Sequence, residues 1–288
     1  MRCPKASKLQ LEGYGTAGFN AAIEFGNLFH YLLETGYTSL MNGKPVPSYD
    51  TLARAWRRHA MKQGMDAAFV EELLGKAMGL WGPYWERYSA EDTRKNWVAL
   101  EEVFHVPYKG VPLRGKRDGL FRYAGKTPLW IMEHKTKGQI SENEITSVLN
   151  FDFQNQFYLA ATMLERGECP KGVLYNVIRN PGLKFGKTET LSQYAKRIAK
   201  AVEGDPDHYF KRYELAYPQS QIEEFLEGEL EWKIQQFILN YRGHRPTYPF
   251  QSGCVGRGAC IYLQACSSGV MEGYIQKALF QELQEEVI

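Results

Sequence analysis

Two acidic residues and a lysine are spaced so that a β-hairpin would bring them together. Asp118 precedes a turn signal at Gly125-Lys126, and Glu133 and Lys135 follow it. If the turn is centred between Gly125 and Lys126, residues equally far from that point face each other, and Asp118 and Glu133 form such a pair. Lys135 lies two residues beyond Glu133, on the same face of its strand.

Opposed carboxylates repel each other, and a divalent cation would compensate for that repulsion. Hard oxygen ligands of this kind suit Mg²⁺ or Mn²⁺. In phosphodiester hydrolysis such a cation polarises the phosphate and lowers the pKa of water, while a nearby ammonium stabilises the charge that develops. One acid before the turn and Glu-x-Lys after it therefore form a minimal nuclease site.

An exposed hairpin with a surface Glu–Lys ion pair is the alternative interpretation of the same residues. The apolar run Trp130-Ile131-Met132 directly before Glu133 favours a partly buried sheet end instead. Buried charges need partners or a metal ion. The flanking residues therefore favour the nuclease interpretation.

Three further polar residues lie where they could support this site. His30 follows Gly26 by one helical turn, and Gly26 would permit close packing against a sheet, so His30 is a candidate third metal ligand. Gln154 and Tyr158 share one face of a later, largely apolar helix. Each could instead be hydrogen-bonded within the core, with backbone groups as partners.

Three evenly spaced cysteines near the carboxyl end could bind a metal centre. Cys254, Cys260 and Cys266 lie in a glycine-containing segment, and Cys3 is the candidate fourth ligand, which leaves Cys169 as a spare. Four thiolates suit zinc or an iron–sulfur cluster, and the lack of close cysteine pairs favours a [4Fe–4S] cluster over zinc. Free buried thiols are the simpler alternative for any single cysteine.

The hydrophobic pattern predicts the elements that must position these residues. It is typical of helices over 17–35, 48–63, 66–88 with an interruption at Gly82-Pro83, 144–166, 189–203, 218–240 and 270–286. It is typical of strands over 97–107, 112–123, 128–136 and 172–178. This order predicts an α/β fold with a mixed sheet flanked by helices.

Composition excludes several classes of protein. The chain has 288 residues, of which 44% are hydrophobic and 24% charged, as in globular proteins. We expect no membrane span, because no run approaches ~18 uncharged apolar residues. The first residues lead into no apolar stretch, so we expect no secretory signal and a cytoplasmic location.

Charge predicts local rather than general contact with nucleic acid. The formal net charge is only +2, whereas a protein that coats nucleic acid is usually more basic. Basic residues flank the predicted site, and a separate basic helix carries an aromatic that could stack on a base, although a solvated charged helix explains that run as well. The residues concerned are Arg114, Lys116, Arg117, Lys135 and Lys137 near the site, and Arg54, Trp56, Arg57 and Arg58 on the helix.

The ordered set of motifs resembles the PD-(D/E)xK nuclease superfamily, and specifically its RecB-like branch with an iron–sulfur cluster. That branch includes CRISPR-associated spacer-acquisition nucleases, exonuclease V and many phage proteins. The resemblance runs from residue 3 to residue 266. The matching motifs are Cys3-Pro4, Gly26 to His30, Gly115 to Gly119, Glu133-His134-Lys135, Gln154 to Tyr158 and the cysteine triplet.

The resemblance implies a restriction-endonuclease-like core and a role for each motif. His30, Asp118 and Glu133 would be the metal ligands, Lys135 would be catalytic, and Gln154 and Tyr158 would be supporting residues that touch DNA. It also implies a structural [4Fe–4S] cluster on the four cysteines: Cys3, Cys254, Cys260 and Cys266.

The domain organisation and function follow from the same resemblance. We expect one nuclease domain over 1–288, with a helical insertion at 45–95 and an iron–sulfur region at 241–288 joined to Cys3. The expected activity is metal-dependent cleavage of DNA ends or single strands in recombination, repair or phage DNA processing, with a helicase or recombination protein as a possible partner. Two alternatives remain open, a DNA-binding scaffold that does not cut and a zinc protein.

Overall fold

A computed structural model of the chain describes residues 3–139, 142, 148–242, 246–250, 254 and 259–276. The chain divides into two compact units. The larger takes its described residues from 19–108 and 112–222, and the smaller from 1–18, 109–111 and 223–286. All predicted nuclease residues therefore belong to the larger unit.

The first half of the chain contains three consecutive helices followed by three consecutive strands, and helices and strands are mixed in the second half. The helices are α1 (Pro4–Leu11), α2 (Ala21–Met41), α3 (Tyr49–Lys62), α4 (Ala67–Asp92), α5 (Phe153–Arg166), α6 (Leu191–Gly204), α7 (Pro206–Tyr209), α8 (Gln219–Phe225), α9 (Glu231–Phe237) and α10 (Leu263–Ser268). The strands are β1 (Tyr14–Thr16), β2 (Asn96–Tyr108), β3 (Val111–Arg122), β4 (Leu129–Lys137), β5 (Gly172–Arg179), β6 (Phe210–Ala216) and β7 (Tyr274–Gln276).

A five-stranded mixed sheet in the order β2-β3-β4-β5-β6 forms the centre of the larger unit. Strands β4 and β5 run parallel, whereas β4 pairs antiparallel with β3 and β5 pairs antiparallel with β6. Strand β5, which lies between β4 and β6, is buried along nearly its whole length, as expected where helices cover both faces of a sheet. The predicted fold class, a mixed sheet flanked by helices, is therefore confirmed.

Helices α2, α3, α4 and α6 bury their apolar faces in one hydrophobic core. Side chains such as Phe29, Leu74 and Ile198 are fully buried within it. Burying side chains of this size stabilises the fold by roughly 1.5–3 kcal/mol each relative to exposure. The helix that carries His30 is thus held by packing along most of its length.

The predicted interruption at Gly82-Pro83 is wrong, because α4 runs continuously through Pro83. Proline has no N–H and cannot donate to the carbonyl one turn earlier. Leu80 and Tyr84, on either side of Pro83, are both fully buried in the same core. We infer that this burial holds the helix together across the missing hydrogen bond.

Several other elements of the structure differ from those predicted. Strand β6 was not predicted. Only two of its seven residues, Phe210 and Leu215, are buried, so its sequence shows no clear apolar pattern. A 3₁₀ turn, Leu149–Phe151, precedes α5, so the predicted helix begins later, and 144–147 lie outside the described residues. Strand β7 stands where a helix over 270–286 was predicted, and 277–286 also lie outside the described residues.

The smaller unit is built around a two-stranded antiparallel sheet of β1 and β7. Tyr262 donates a 2.7 Å hydrogen bond to the carbonyl of Tyr14, and its ring stacks on that of Tyr274. Across the described part of both units, no helix is both long and apolar enough to cross a bilayer.

Candidate active site

The hairpin of β3 and β4 has the predicted register. Gly119 pairs with Met132, so the next positions on the two strands are Asp118 and Glu133. At this position the side chain of Asp118 also bonds to β4, because its Oδ2 accepts a 2.6 Å hydrogen bond from the N–H of His134. The carboxylate of β3 is therefore fixed directly against the Glu-x-Lys segment of β4.

Glu133 is buried, and its two carboxylate oxygens differ in their hydrogen bonding. Its Oε1 is paired with the ammonium of Lys135 and accepts a 3.0 Å hydrogen bond from Nε2 of Gln154. Its Oε2 is buried and has no hydrogen-bond partner among the residues that the structure describes, although a buried carboxylate oxygen normally has one. An orphaned acceptor of this kind is what a metal ligand presents before the ion binds.

Gln154 organises the supporting side of the site. Its Oε1 accepts a 3.0 Å hydrogen bond from Nζ of Lys135, and its Nε2 donates to Glu133 and, at 3.1 Å, to the hydroxyl of Tyr158. The amide therefore holds the acid and the ammonium of the Glu-x-Lys segment in one arrangement. The structure brings together both residues of the predicted Gln-x-x-x-Tyr pair with that segment.

His30 reaches the carboxylates from α2, as Gly26 predicted. A Cβ at Gly26 would lie 3.1 Å from Oγ1 of Thr136, so any larger residue would force that side chain to give way where the helix passes β4. The Nδ1 atom of His30 lies 3.7 Å from Oδ1 of Asp118. The predicted ligands His30, Asp118 and Glu133 therefore lie in one site.

Burial and mutual repulsion shift the pKa values of these groups. Burial, followed by the charge of Asp118, raises the pKa of Glu133 to about 7. Burial also raises the pKa of Asp118 to about 6, and it lowers the pKa of His30 to about 4. Near pH 7 His30 is therefore already in its neutral, ligand form, whereas ionising both Asp118 and Glu133 costs free energy that a bound cation would offset.

Glu101 of β2 also lies in the site, and the sequence interpretation missed it. One ligand atom from each of His30, Glu101 and Asp118 lies within 4.8 Å of the others. The Oε2 atom of Glu101 is 2.8 Å from Nζ of Lys116. The only sequence signal was an acidic pair, Glu101-Glu102, within a predicted strand, where one of the two side chains had to point inward.

The donor set fits a divalent cation. It consists of carboxylate oxygens and one imidazole nitrogen, with an unsatisfied oxygen on Glu133. Oxygen-rich sets of this composition suit Mg²⁺ or Mn²⁺ better than softer ions. An ammonium, that of Lys135, stands beside the same carboxylates. Such an arrangement can bind a phosphate and stabilise negative charge on it.

A buried polar network anchors the back of the Glu-x-Lys segment. The Nδ1 atom of His134 lies 2.7 Å from Nδ2 of Asn176 on β5, and its ring stacks on Tyr37 of α2. Asn176 in turn accepts from Nε of Arg212 at 3.1 Å, and Arg212 pairs with buried Asp92 through two 2.7 Å hydrogen bonds. His134 therefore ties β4 to β5, β6 and two helices.

The predicted nucleic-acid contacts are partly wrong. Arg117 is fully buried, where its guanidinium donates to Thr162 and pairs with Glu102 and Glu165. Trp56 is also buried, in the core, and cannot stack on a base. In both cases the side chain points to the inner face of its element, which the charge pattern alone did not show.

The four cysteines of the predicted cluster belong to the smaller unit. The sulfur of Cys3 accepts a 3.4 Å hydrogen bond from the N–H of Phe250, and the thiol of Cys254 donates to its carbonyl. Within the described residues, however, no three cysteine sulfurs lie within 4.8 Å of one another. As placed, these sulfurs do not fit a single zinc ion and give no support to the predicted [4Fe–4S] cluster.

A comparison with protein families gives a match over most of the chain. The sequence model of a family described as the PD-(D/E)XK nuclease superfamily matches residues 1–267. None of the curated proteins matches the chain significantly.

Proposed function

The chain belongs to the PD-(D/E)XK nuclease superfamily, whose nucleases are metal-dependent phosphodiester hydrolases, and we propose that it is a Mg²⁺- or Mn²⁺-dependent deoxyribonuclease. The observation that carries this proposal is the buried oxygen of Glu133 without a hydrogen-bond partner, beside Asp118 and the ammonium of Lys135. A structural ion pair would satisfy both carboxylate oxygens, whereas a metal ligand keeps one available.

We assign metal binding to His30, Asp118 and Glu133. When bound there, the cation would polarise the scissile phosphate and lower the pKa of the attacking water. Asp118 is held for this task by the N–H of His134, and Glu133 by Gln154. Both carboxylates are therefore oriented before any ion arrives, which reduces the cost of reorganisation.

Lys135 is the proposed catalytic cation. Burial alone would lower the pKa of Lys135, but the charges of Glu133 and Asp118 outweigh it and raise that pKa, so the ammonium stays protonated. It can then orient the attacking water and offset the charge that develops on the phosphate oxygens. Gln154 fixes its position, and Tyr158 supports Gln154.

We propose DNA ends or single strands as substrates, with a role in recombination, repair or phage DNA processing and a helicase or recombination protein as a partner. The support is the motif resemblance to RecB-like nucleases. The test is digestion of end-labelled linear and circular single-stranded DNA with and without Mn²⁺. An exonuclease degrades only the linear DNA, whereas cleavage of the circle indicates an endonuclease.

A scaffold that binds DNA without cutting is the contrasting outcome of the same assay. Intact protein that binds both DNAs and cleaves neither, with Mg²⁺ or Mn²⁺ present, would contradict the nuclease proposal. Glu133→Gln is the matched variant, because it removes the charge and keeps the size of the side chain. Equal cleavage by Glu133→Gln and the wild type would show that the activity comes from elsewhere.

A [4Fe–4S] cluster on Cys3, Cys254, Cys260 and Cys266 remains a separate proposal that rests on the motif resemblance. All four cysteines belong to the smaller unit, but within the described residues their sulfurs are not clustered. Visible charge-transfer absorption and stoichiometric iron in anaerobically purified protein would support it. Colourless protein without iron would reject it.

A further inference from the structure

Two basic residues lie opposite each other on β4 and β5, two residues beyond Lys135. Lys137 of β4 is the register partner of Arg179, which the sequence pattern did not single out. Register partners on neighbouring strands lie about 4.8 Å apart and point to the same face of the sheet. Since Lys135 and Lys137 also share a face, the two strands oppose a pair of cations beside the active site.

Neither Lys137 nor Arg179 forms an ion pair with an acid in the part of the chain that the structure describes. Lys135 differs from them in this respect, because it pairs with Glu133. Like charges at the spacing of neighbouring strands repel each other. An anion that binds both Lys137 and Arg179 would remove that repulsion.

The two basic side chains turn in different directions. The ammonium of Lys137 lies 5.6 Å from the centre of the Tyr175 ring, and Tyr175 is the register partner of Glu133. Lys137 therefore leans back toward the active site. The Nη1 atom of Arg179 lies 3.1 Å from Nδ1 of His208, on the segment that leads into β6. Together the two cations extend the positive charge of the active site toward the end of β5.

A cavity of about 240 Å³ opens beside Arg179 at the end of β5. Its two acidic residues have other partners. Asp207 pairs with Arg87, and Oδ1 of Asp205 accepts a 3.2 Å hydrogen bond from the N–H of His208. An anion that enters this cavity would therefore meet the guanidinium of Arg179 while the acids stay engaged. The lining residues are Arg179, Asp205, Asp207, His208 and Lys211.

The β2 side of the active site is less suited to a second anion. One ligand atom of Glu101 lies close to those of His30 and Asp118. The carboxylate of Glu101 already pairs with Lys116 at 2.8 Å, and that of Glu34 lies 3.8 Å from the same ammonium. Three carboxyl groups thus lie around one ammonium group there, so a polyanion leaves the site more readily over β5.

We propose that Lys137 and Arg179 bind the phosphate next to the scissile one, so that the substrate strand leaves the active site across the ends of β4 and β5. This inference rests on the proposed nuclease function and extends it to the path of the DNA. Lys137 lies about 6.6 Å along β4 from Lys135, a separation that adjacent phosphates of an extended strand can bridge. Contacts to phosphate carry no sequence information, so the position accepts any base sequence.

The salt dependence of DNA binding tests the inference separately from cleavage. Fluorescence anisotropy of a labelled single-stranded oligonucleotide, in EDTA and at about 50–200 mM NaCl, gives the slope of log K against log salt. One lost phosphate contact should flatten that slope by about 0.7 for single-stranded DNA and raise the Kd. Lys137→Gln and Arg179→Gln should each have this effect. Because both residues contact one phosphate, the double variant should lose little more than either single variant.

Two further variants separate the lost contact from general effects of charge or folding. Lys171→Gln is the matched control, because Lys171 is exposed at the opposite end of β5, directly before Gly172. It should keep the wild-type slope. Arg179→Lys retains the charge and should keep most of the slope, even if Arg179→Gln does not fold.

Cleavage by the wild type with Mn²⁺ distinguishes failure of this inference from failure of the proposed function. If the wild type cuts DNA, and folded Lys137→Gln and Arg179→Gln bind with an unchanged slope and Kd, the inference is overturned and the proposed function stands. Flatter slopes in both variants of a protein that cuts nothing would support the phosphate position and contradict the nuclease. No measurable DNA binding by the wild type would overturn the inference as well.

Discussion

The carboxylate of Asp118 accepts a hydrogen bond from the backbone N–H of His134, with 2.6 Å between Oδ2 and the nitrogen. A side chain thus takes the place of a backbone acceptor where the β3–β4 ladder ends. The contact fixes Asp118, one predicted ligand, against His134. His134 in turn lies between the other predicted ligand, Glu133, and Lys135. The geometry of the site is consequently set by the sheet, and the following predictions depend on it.

Glu133→Gln should stabilise the metal-free protein at pH 8. Burial and Asp118 raise the pKa of Glu133 from 4.5 to about 7 in the folded protein. The folded state therefore binds a proton more readily than the unfolded state, and the free energy of unfolding falls as pH rises through that window. The neutral amide of Glu133→Gln avoids this loss. At pH 8 the free energy of unfolding of the variant should therefore exceed that of the wild type by about 1–3 kcal/mol.

Urea denaturation in the presence of EDTA, at pH 4 and pH 8, measures this effect. Glu86→Gln is the control, because Glu86 is exposed on α4. The stabilisation by Glu133→Gln should shrink toward pH 4, where the wild-type carboxyl is protonated in both states. Equal effects at the two pH values would contradict the raised pKa of Glu133.

Lys135→Ala should reduce cleavage by about 100-fold or more, as expected for the loss of a group that stabilises charge in the transition state. Mn²⁺ binding should persist, because both carboxylates remain. Lys137→Ala, two residues further along β4, should lower activity much less. Single-turnover rates at saturating Mn²⁺ separate the chemical step from binding, and equal losses in the two lysine variants would refute the catalytic assignment.

Gln154→Ala should lower the single-turnover rate by a smaller factor, about fivefold to tenfold, which corresponds to one or two ordinary hydrogen bonds. Gln154 touches Lys135 and Glu133 but supplies no charge of its own. Gln154→Glu is an informative companion, because it adds a third acid beside Glu133 and should raise the pH at which activity appears. A loss in Gln154→Ala as large as that in Lys135→Ala would indicate direct contact with the phosphate.

Mn²⁺ binding should strengthen as pH rises from 5.5 to 8. The pKa values of Asp118 and Glu133 are raised to about 6 and about 7, mainly by burial, so the ligands must lose protons when the ion binds. Calorimetry in two buffers with different ionisation enthalpies should reveal this proton release at pH 6.5. A Kd that does not change with pH would show that the carboxylates are already ionised.

Gly26→Ala should weaken Mn²⁺ binding with little loss of stability. The new Cβ would press on Oγ1 of Thr136 at 3.1 Å and push α2, which carries His30, away from β4. The gain in helix propensity, about 1 kcal/mol, offsets part of the strain. Thr136→Ala in the same chain should restore binding, whereas Gly82→Ala, in open space on α4, should leave Mn²⁺ binding unchanged.

The hairpin and its acids were predictable because the register follows from the turn. Gly125 marks the turn, with a φ of +70°, and counting outward from it pairs Asp118 with Glu133. The apolar residues before Glu133 indicated a buried strand end, which the structure confirms. Both inferences use local sequence, where backbone geometry leaves few alternatives.

The side-chain directions of Glu101 and Arg117 could not be predicted from local sequence, because they depend on other elements. The acidic pair Glu101-Glu102 indicated that one of the two side chains points inward, but no residue type signals the left-handed conformation of Glu101 itself. Arg117 resembles a DNA contact in charge and position, but Glu165 of α5 lies across from it and draws it into the interior. Long-range ion pairs of this kind are visible only once the helices are in place.

The anchoring of His134 means that the variable position of the Glu-x-Lys motif is not a passive spacer in this protein. A shift of β4 along β5 by one residue would break the contact between His134 and Asn176. Ions and products can therefore come and go at the front of the sheet while the spacing between the acid and the ammonium stays constant. Glu133 and Lys135, the proposed catalytic pair, therefore keep their arrangement from one turnover to the next.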